Sequence, residues 1–365
     1  MTYLSYSFSL LRRGYIAQLR LSAGHLAAWK RACISRLRKW LGHKTILCVG
    51  YSVTEQKNGY VDCANEILVA SRSDFSLRKS GWGGHTIDTI AYCIDEIIRD
   101  GSSAGVLLEI FTSHIRTLRS DEIRFYLDQI LVALAEARLP VGFVYLYDDS
   151  VQHEGDFLIG IITEYATKYR IPLLNLVDEI RSYEKKERDK LLFDPVHTTP
   201  AGAKFYAERV VGFLNSKPVD SHYIQHFSGL KRRLRALPLV ELCPSPPTFE
   251  LSRNGLPWRF YEIKERDFLS VVLPTALQLT GVMLTYAPDA GEILFENPGT
   301  GEVASIVPHD PHSYYIRSGF FPLDIGSVGQ IIIRQTSHIP EHIPLKGEKY
   351  FGPRVGRISH LFYSV

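Results

Sequence analysis

Between residues 44 and 215 short apolar runs alternate with amphipathic stretches. KTILCVG, starting at Lys44, reads as a strand, and YVDCANEILVA (60–70) as a helix. FSLRKSGWGG is a short segment leading into a helix from Thr86 to about Arg99. AGVLLEIF (104–111) is apolar almost throughout, as strands buried on both faces are. Residues 120–137 predict a strongly amphipathic helix, with Ser120 at the N-cap and Asp121 and Glu122 in the first turn. LPVGFVYLY (139–147) is the next strand and 156–169 the next helix. IPLLNLV (171–177) is another strand, and PAGAKFYAERVVGFL (200–214) a final helix. Repeated alternation of this kind predicts an α/β domain, a parallel sheet with helices on both faces. Chemistry in such sheets sits beyond the carboxyl ends of the strands. Gly50-Tyr51-Ser52, Phe111-Thr112-Ser113-His114 and Tyr147-Asp148-Asp149 fall at those ends.

The pattern changes after about residue 240. CPSPPT (243–248) is a proline-rich break, and beyond it short β-prone runs such as FLSVVL, LTGVMLTYA, GEILFEN and GQIIIRQ are separated by turn signals. That predicts a C-terminal all-β domain, sandwich-like, over 248–365. Residues 216–247, with KRRLR at 231–235, read as a linker.

A length of 365 residues accommodates two domains, and 45% hydrophobic with 22% charged residues is ordinary globular composition. A net charge of +3 gives no reason to expect nucleic acid as a partner. The five cysteines lack CxxC spacing, which argues against a zinc site or a disulfide framework and for a reducing, cytoplasmic setting. Charge is uneven: Met1 to Thr54 contain no Asp or Glu but nine Lys and Arg, from Arg12 to Lys44. Within residues 1–43, Leu26, Trp29, Cys33, Leu37 and Trp40 recur at helical spacing between basic residues. This basic amphipathic helix suits peripheral contact with an anionic membrane, or packing with a solvated basic face. A transit peptide is a third reading. No run approaches the length of a membrane span.

An acyl-transfer site needs a nucleophile, a base in reach of it, a group orienting the base, and donors aimed at the developing oxyanion. Ser52, at the end of the first strand, is the candidate nucleophile. FDPVHTTPAG (193–202) supplies a candidate base, His197, with Asp194 three residues before it and Pro200 ready to start a helix. That spacing lets the carboxylate fold back onto one ring nitrogen while the other faces the serine. Trp82 reads as a core aromatic or a pocket wall, and Asp148-Asp149 as a solvated pair or, less simply, metal ligands. No cofactor motif is present; GWGG lacks the spacing of a phosphate loop.

Gly50-Tyr51-Ser52, GWGGHT (81–86) and Asp194-Pro195-Val196-His197 followed by PAGAKFYAE together resemble the blocks of the SGNH (GDSL-type) hydrolases over residues 44–215. The resemblance implies a flavodoxin-like three-layer α/β/α fold and a Ser52–His197–Asp194 triad. It also implies oxyanion donation by Gly84. Two blocks depart from the pattern: Tyr51 replaces the usual Asp, and Ser113 stands where the oxyanion-hole asparagine is expected, with His114 beside it as a substitute donor. The implied activity is that of a serine esterase or O-acyltransferase, acting on an acylated small molecule or glycan, most simply an O-acetylated polysaccharide. Trp258, Tyr261, Tyr314, Tyr315 and Phe320 then read either as glycan-binding aromatics or as core of the β domain. Two other functions are compatible with the sequence. One is a catalytically degenerate module binding a glycan or partner at a membrane; the other is a lysophospholipid-type esterase.

Overall fold

The computed structural model describes residues 44–365 apart from 100, 152–154, 217–218, 254–255, 339, 342–343 and 348. The basic helix expected within residues 1–43 lies outside the described residues. Strands β1 (Lys44–Gly50), β2 (Phe75–Gly81), β3 (Ser103–Glu109), β4 (Val141–Tyr145) and β5 (Leu173–Asn175) form a sheet of order β2-β1-β3-β4-β5. This is the flavodoxin-like order. The pairs β1–β3, β3–β4 and β4–β5 are parallel.

Helices α1 (Ser52–Glu55), α2 (Tyr60–Ala70), α3 (Ile87–Ile98), α4 (Ser120–Glu136), α5 (Phe157–Tyr169) and α6 (Pro200–Asn215) connect and follow these strands. The chain steps outward from β1 to β2, then back across β1 to β3. Right-handed crossovers therefore put α2 and α3 on opposite faces. In accord with this, α2 packs with α6, while α4 packs with α3 and α5.

Two sequence expectations are refined. FSLRKSGWGG does lead into the helix at Ile87, but its first seven residues, which the sequence pattern does not mark as a strand, form the edge strand β2. Arg78 and Lys79 hide its strand character, and an edge position tolerates them because one side of the strand is unpaired. In α4 the N-cap is Arg119, one residue before Ser120, and its N–H donates to Glu122 Oε2 at 2.8 Å.

In the C-terminal part the strand pairs are antiparallel. This part comprises β6 (Leu234–Pro238), β7 (Phe249–Arg253), β8 (Leu256–Lys264), β9 (Phe268–Tyr286), β10 (Ile293–Asn297), β11 (Glu302–Ile306), β12 (Arg317–Pro322), β13 (Ser327–Gln335) and β14 (Val355–Ser364). The order is β11-β10-β13-β9-β14-β8-β7, with β12 on β9 and β6 on β14. The 19-residue β9 organises the whole. Its first half pairs with β13, and its second half with β12 and β14. Val271, Val282, Ile293, Phe295, Ile331 and Ile358 form its core. Residues 216–247 are also built in: Asp220 bridges to Val141, and β6 pairs with β14.

Residues 45–365 form one compact unit. The all-β part seats on α3 and on the loop before it. Tyr92 stacks against Phe320 and Phe362, and its hydroxyl lies 2.6 Å from Thr280 Oγ1. Trp82 meets Trp258 edge to face at 5.1 Å. Arg232, whose side chain is fully buried, pairs with Asp95 and donates to the Ala91 and Tyr92 carbonyls. Each such aromatic pair contributes about 0.5–1.5 kcal/mol beyond its buried area. Among the described residues no helix is long and apolar enough to cross a membrane.

Candidate active site

The chain leaves β1 through a tight turn, and Ser52 is the first residue of α1. The register puts Gly50 opposite Glu109, the last residue of β3. A Cβ on Gly50 would collide with Thr54 Oγ1 and with a Glu109 carboxylate oxygen, so only glycine fits. Glu109 is wholly buried. It accepts hydrogen bonds from Thr54 Oγ1 and Thr112 Oγ1, both at 2.8 Å, and from the Tyr51 N–H. Burial pushes its pKa up to about 7, against the opposing pull of those donors. This carboxyl thus binds the turn that carries Ser52 to the loop after β3.

Asp194 and His197 approach the same turn from the other end of the α/β part. Thr199 caps α6 by accepting from the Gly202 N–H, and Pro200 occupies the first turn. In the loop before it, Asp194 Oδ1 accepts from the N–H groups of Val196 (2.9 Å) and His197 (2.7 Å). Asp194 Oδ2 lies 2.7 Å from His197 Nδ1, and His197 Nε2 lies 2.8 Å from Ser52 Oγ. Burial alone would raise the Asp194 pKa, but the two backbone donors and the imidazole hold it below the usual value. Gln56, just past α1, locks the loop in place. Its Nε2 donates to the Thr198 carbonyl at 2.7 Å, and its Oε1 accepts from the Thr198 N–H and Oγ1. The Phe193 ring stacks on the outer face of His197.

The segment 81–86 closes the third side. The Trp82 N–H donates to the Gly50 carbonyl at 2.8 Å, tying the segment to the end of β1. The Gly83 N–H donates to Glu55 Oε2 at 2.8 Å, and a Cβ on Gly83 would stand 3.3 Å from the Ser52 Cβ. Gly84 has φ +78°, a conformation that favours glycine. Neither the Ser52 N–H nor the Gly84 N–H has a hydrogen-bond partner among the described residues, so both are free to meet an oxyanion. Ser113 and His114 open a short 3-10 turn directly after Thr112. The donor roles expected of their side chains lie outside what is described.

Other candidates find plainer places. Trp82 is buried, with Nε1 donating to Ser80 Oγ at 3.0 Å. Asp148 accepts from Ser150, and Asp149 from Tyr147 and Arg188. Among the described residues no group of acids, histidines and cysteines is arranged to hold a metal ion. Of the aromatics after residue 248, Trp258 and Tyr261 are core, while Tyr315 is 48% exposed. A cavity of about 370 Å³ lies elsewhere, lined by Glu96, Trp258 and His360 among others and by no member of the triad. Glu109 and Gln56 were not anticipated. A lone acid ending an otherwise apolar strand was the available signal for Glu109; Gln56 offered none.

No family model and no curated protein matches the sequence. Solved structures do. A two-domain esterase (CEX) active on acetylated mannans, co-crystallised with mannopentaose, is 12% identical, with a TM-score of 0.59 over 92% of this chain and 94% of that one. A second structure of a two-domain esterase (CEX) active on acetylated mannans gives 13% identity and a TM-score of 0.61 over 91% and 95%. At such identities the likeness establishes the two-part fold across nearly the whole chain.

Proposed function

We propose that this chain is a serine-dependent esterase or O-acyltransferase that removes or moves an acyl group, most simply acetyl, on a carbohydrate. The observation that carries this reading is the continuous Ser52–His197–Asp194 hydrogen-bond chain at the end of a parallel sheet. Ser52 Oγ attacks the ester carbonyl while His197 Nε2 takes its proton, and the carbonyl π pair moves onto oxygen. Asp194 orients the ring and stabilises the imidazolium. The Ser52 and Gly84 N–H groups meet the oxyanion. Collapse of the adduct expels the sugar hydroxyl, which recovers the proton from His197. Water activated by His197 then releases the acid; a second sugar hydroxyl in its place gives transfer.

The glycan part of the reading is supported by the two-part fold shared with an esterase active on acetylated mannans. The test is twofold. A fluorophosphonate probe should label Ser52 rapidly, and the protein should release acetate from acetylated polysaccharides. A folded sample that neither labels nor releases acetate would leave the domain a binding module.

A further inference from the structure

We propose that Arg317, carried by β12 of the all-β part, is a catalytic residue whose guanidinium donates to the ester oxygen as it becomes negative. The inference rests on the esterase reading above and adds a side-chain donor to the two backbone N–H groups that reading names. An acyl-transfer site gains most from preorganised donors at the oxyanion position. Here the residue at the usual asparagine position is Ser113, with a shorter reach.

The open side of Gly84 shows what stands there instead. A Cβ on Gly84 would meet one atom within 4 Å, Arg317 Nη1, at 4.0 Å. On the adjoining Gly83, a Cβ would lie 3.3 Å from the Ser52 Cβ. Ser52, Gly83, Gly84 and Arg317 are thus consecutive neighbours along one wall of the site. Two donors that each sit about 2.7–3.1 Å from one oxygen are themselves no more than about 6 Å apart, which asks that they be near neighbours, as Gly84 and the Arg317 guanidinium are.

The guanidinium is also fixed in advance. Nη2 is paired with Asp310, and the group lies 3.8 Å from the centroid of the Tyr286 ring. Its side chain is 11% exposed. Arg317 pairs with Tyr286 in the β12–β9 ladder, and the next residue, Ser318, places its Oγ 3.1 Å from His85 Nε2, directly after Gly84. Asp310 holds Nη2, and Nη1 is the guanidinium nitrogen that stands on the open side of Gly84. Arginine stays protonated throughout, so it gives a hydrogen bond and no proton.

The test uses the full chain and p-nitrophenyl acetate, a neutral ester with no sugar. Arg317→Met keeps the stem over Tyr286. It should lower kcat on the order of a hundredfold, change KM little, and slow fluorophosphonate labelling of Ser52 in parallel. Arg317→Ala should regain part of its kcat when guanidinium ion is added at millimolar concentration, a rescue that a packing role would not give. If Arg317→Met fails to fold by thermal melting, Arg317→Lys takes its place, with an expected loss of about tenfold. A kcat within threefold of the unsubstituted protein would overturn the proposal. So would a defect confined to KM on an acidic polysaccharide, which would make Arg317 a binder of a substrate carboxylate. Absence of labelling in the unsubstituted protein would overturn the esterase reading and this one together; normal labelling that is unaffected by the Arg317 variants would overturn only this one.

Discussion

The two sides of the candidate site are held by different means. On one side, Ser52 meets His197 through two short segments, each stabilised by its own backbone: the turn 50–55, and the loop 194–199 with its helix cap. On the other side, the proposed oxyanion position lies beside Gly84 and Arg317, which are far apart in the sequence and are brought near each other by the all-β part docking on α3. The first side is a local property of the α/β part. The second depends on the packing of two regions that share no motif. Loss of the triad side should therefore remove nucleophilic chemistry, whereas loosening the docking should leave the triad formed and the rate reduced.

The largest expected effect is on the triad side. Ser52→Ala should reduce kcat to the residual level left by binding alone, a loss on the order of 10⁶-fold where such triads have been dissected. Asp194→Asn keeps the shape but sets the wrong histidine tautomer, and should cost roughly 10⁴-fold in kcat with little change in KM. Steady-state kinetics on p-nitrophenyl acetate checks both. Equal losses from Asp194→Asn in kcat and in thermal stability would point to a structural role instead.

On the docking side the measure is stability. Tyr92 is buried and stacked on two phenylalanines of the all-β part, so Tyr92→Ala should cost about 3–4 kcal/mol in urea unfolding. If the two sides are distinct as described, fluorophosphonate labelling of Ser52 should survive in the folded fraction of this variant.

The same division explains what was legible in the sequence. Asp194 and His197 are three residues apart in one loop, Ser52 falls at the end of the first strand, and Gly84 is suggested by the family resemblance; the strand–helix alternation predicts the sheet that brings these segments together. β2 was obscured because an edge strand needs no continuous apolar run. Arg317 could not be read at all. Its value depends on β12 pairing with β9 and on Ser318 reaching His85, and neither contact leaves a periodic trace. Gln56 acts on a residue 142 positions away, beyond the reach of any local rule.

Glu109 sharpens the comparison because it belongs to the triad side yet should make its state pH-dependent. Its folded pKa, about 7, lies above the ordinary carboxyl value of 4.5, so the folded protein holds a proton that the unfolded chain has lost. Its contribution to stability should therefore fall as pH rises from about 4.5 to 7, by roughly 3 kcal/mol in total. Among the described residues the groups facing it are Thr54, Thr112, Cys48, Tyr51, Tyr60 and Tyr206, none of them cationic. Glu109→Gln should flatten this part of the pH–stability curve relative to the unsubstituted protein. Identical slopes from pH 5 to 8 would mean that the carboxyl ionises as in water.

The smallest effect tests whether the triad side is as local as it looks. The Gln56 side chain makes three hydrogen bonds to Thr198, the residue after His197, while its backbone N–H donates to the Ser52 carbonyl at 2.9 Å. Gln56→Ala leaves the Asp194 loop with its own backbone hydrogen bonds but without its tie to α1. The distance from His197 Nε2 to Ser52 Oγ is then set only by the two segments' separate packing. A misplacement of a fraction of an ångström should cost about tenfold in kcat, since rate falls steeply once reacting groups leave near-attack geometry. Labelling by fluorophosphonate should slow by the same factor, because it draws on the same serine and base. Gln56→Glu keeps the acceptor for the Thr198 N–H and hydroxyl while losing the donor to its carbonyl, so it should fall between the two. If Gln56→Ala is as active as the unsubstituted protein, the loop's own hydrogen bonds suffice, and the triad side is more local than its contacts imply.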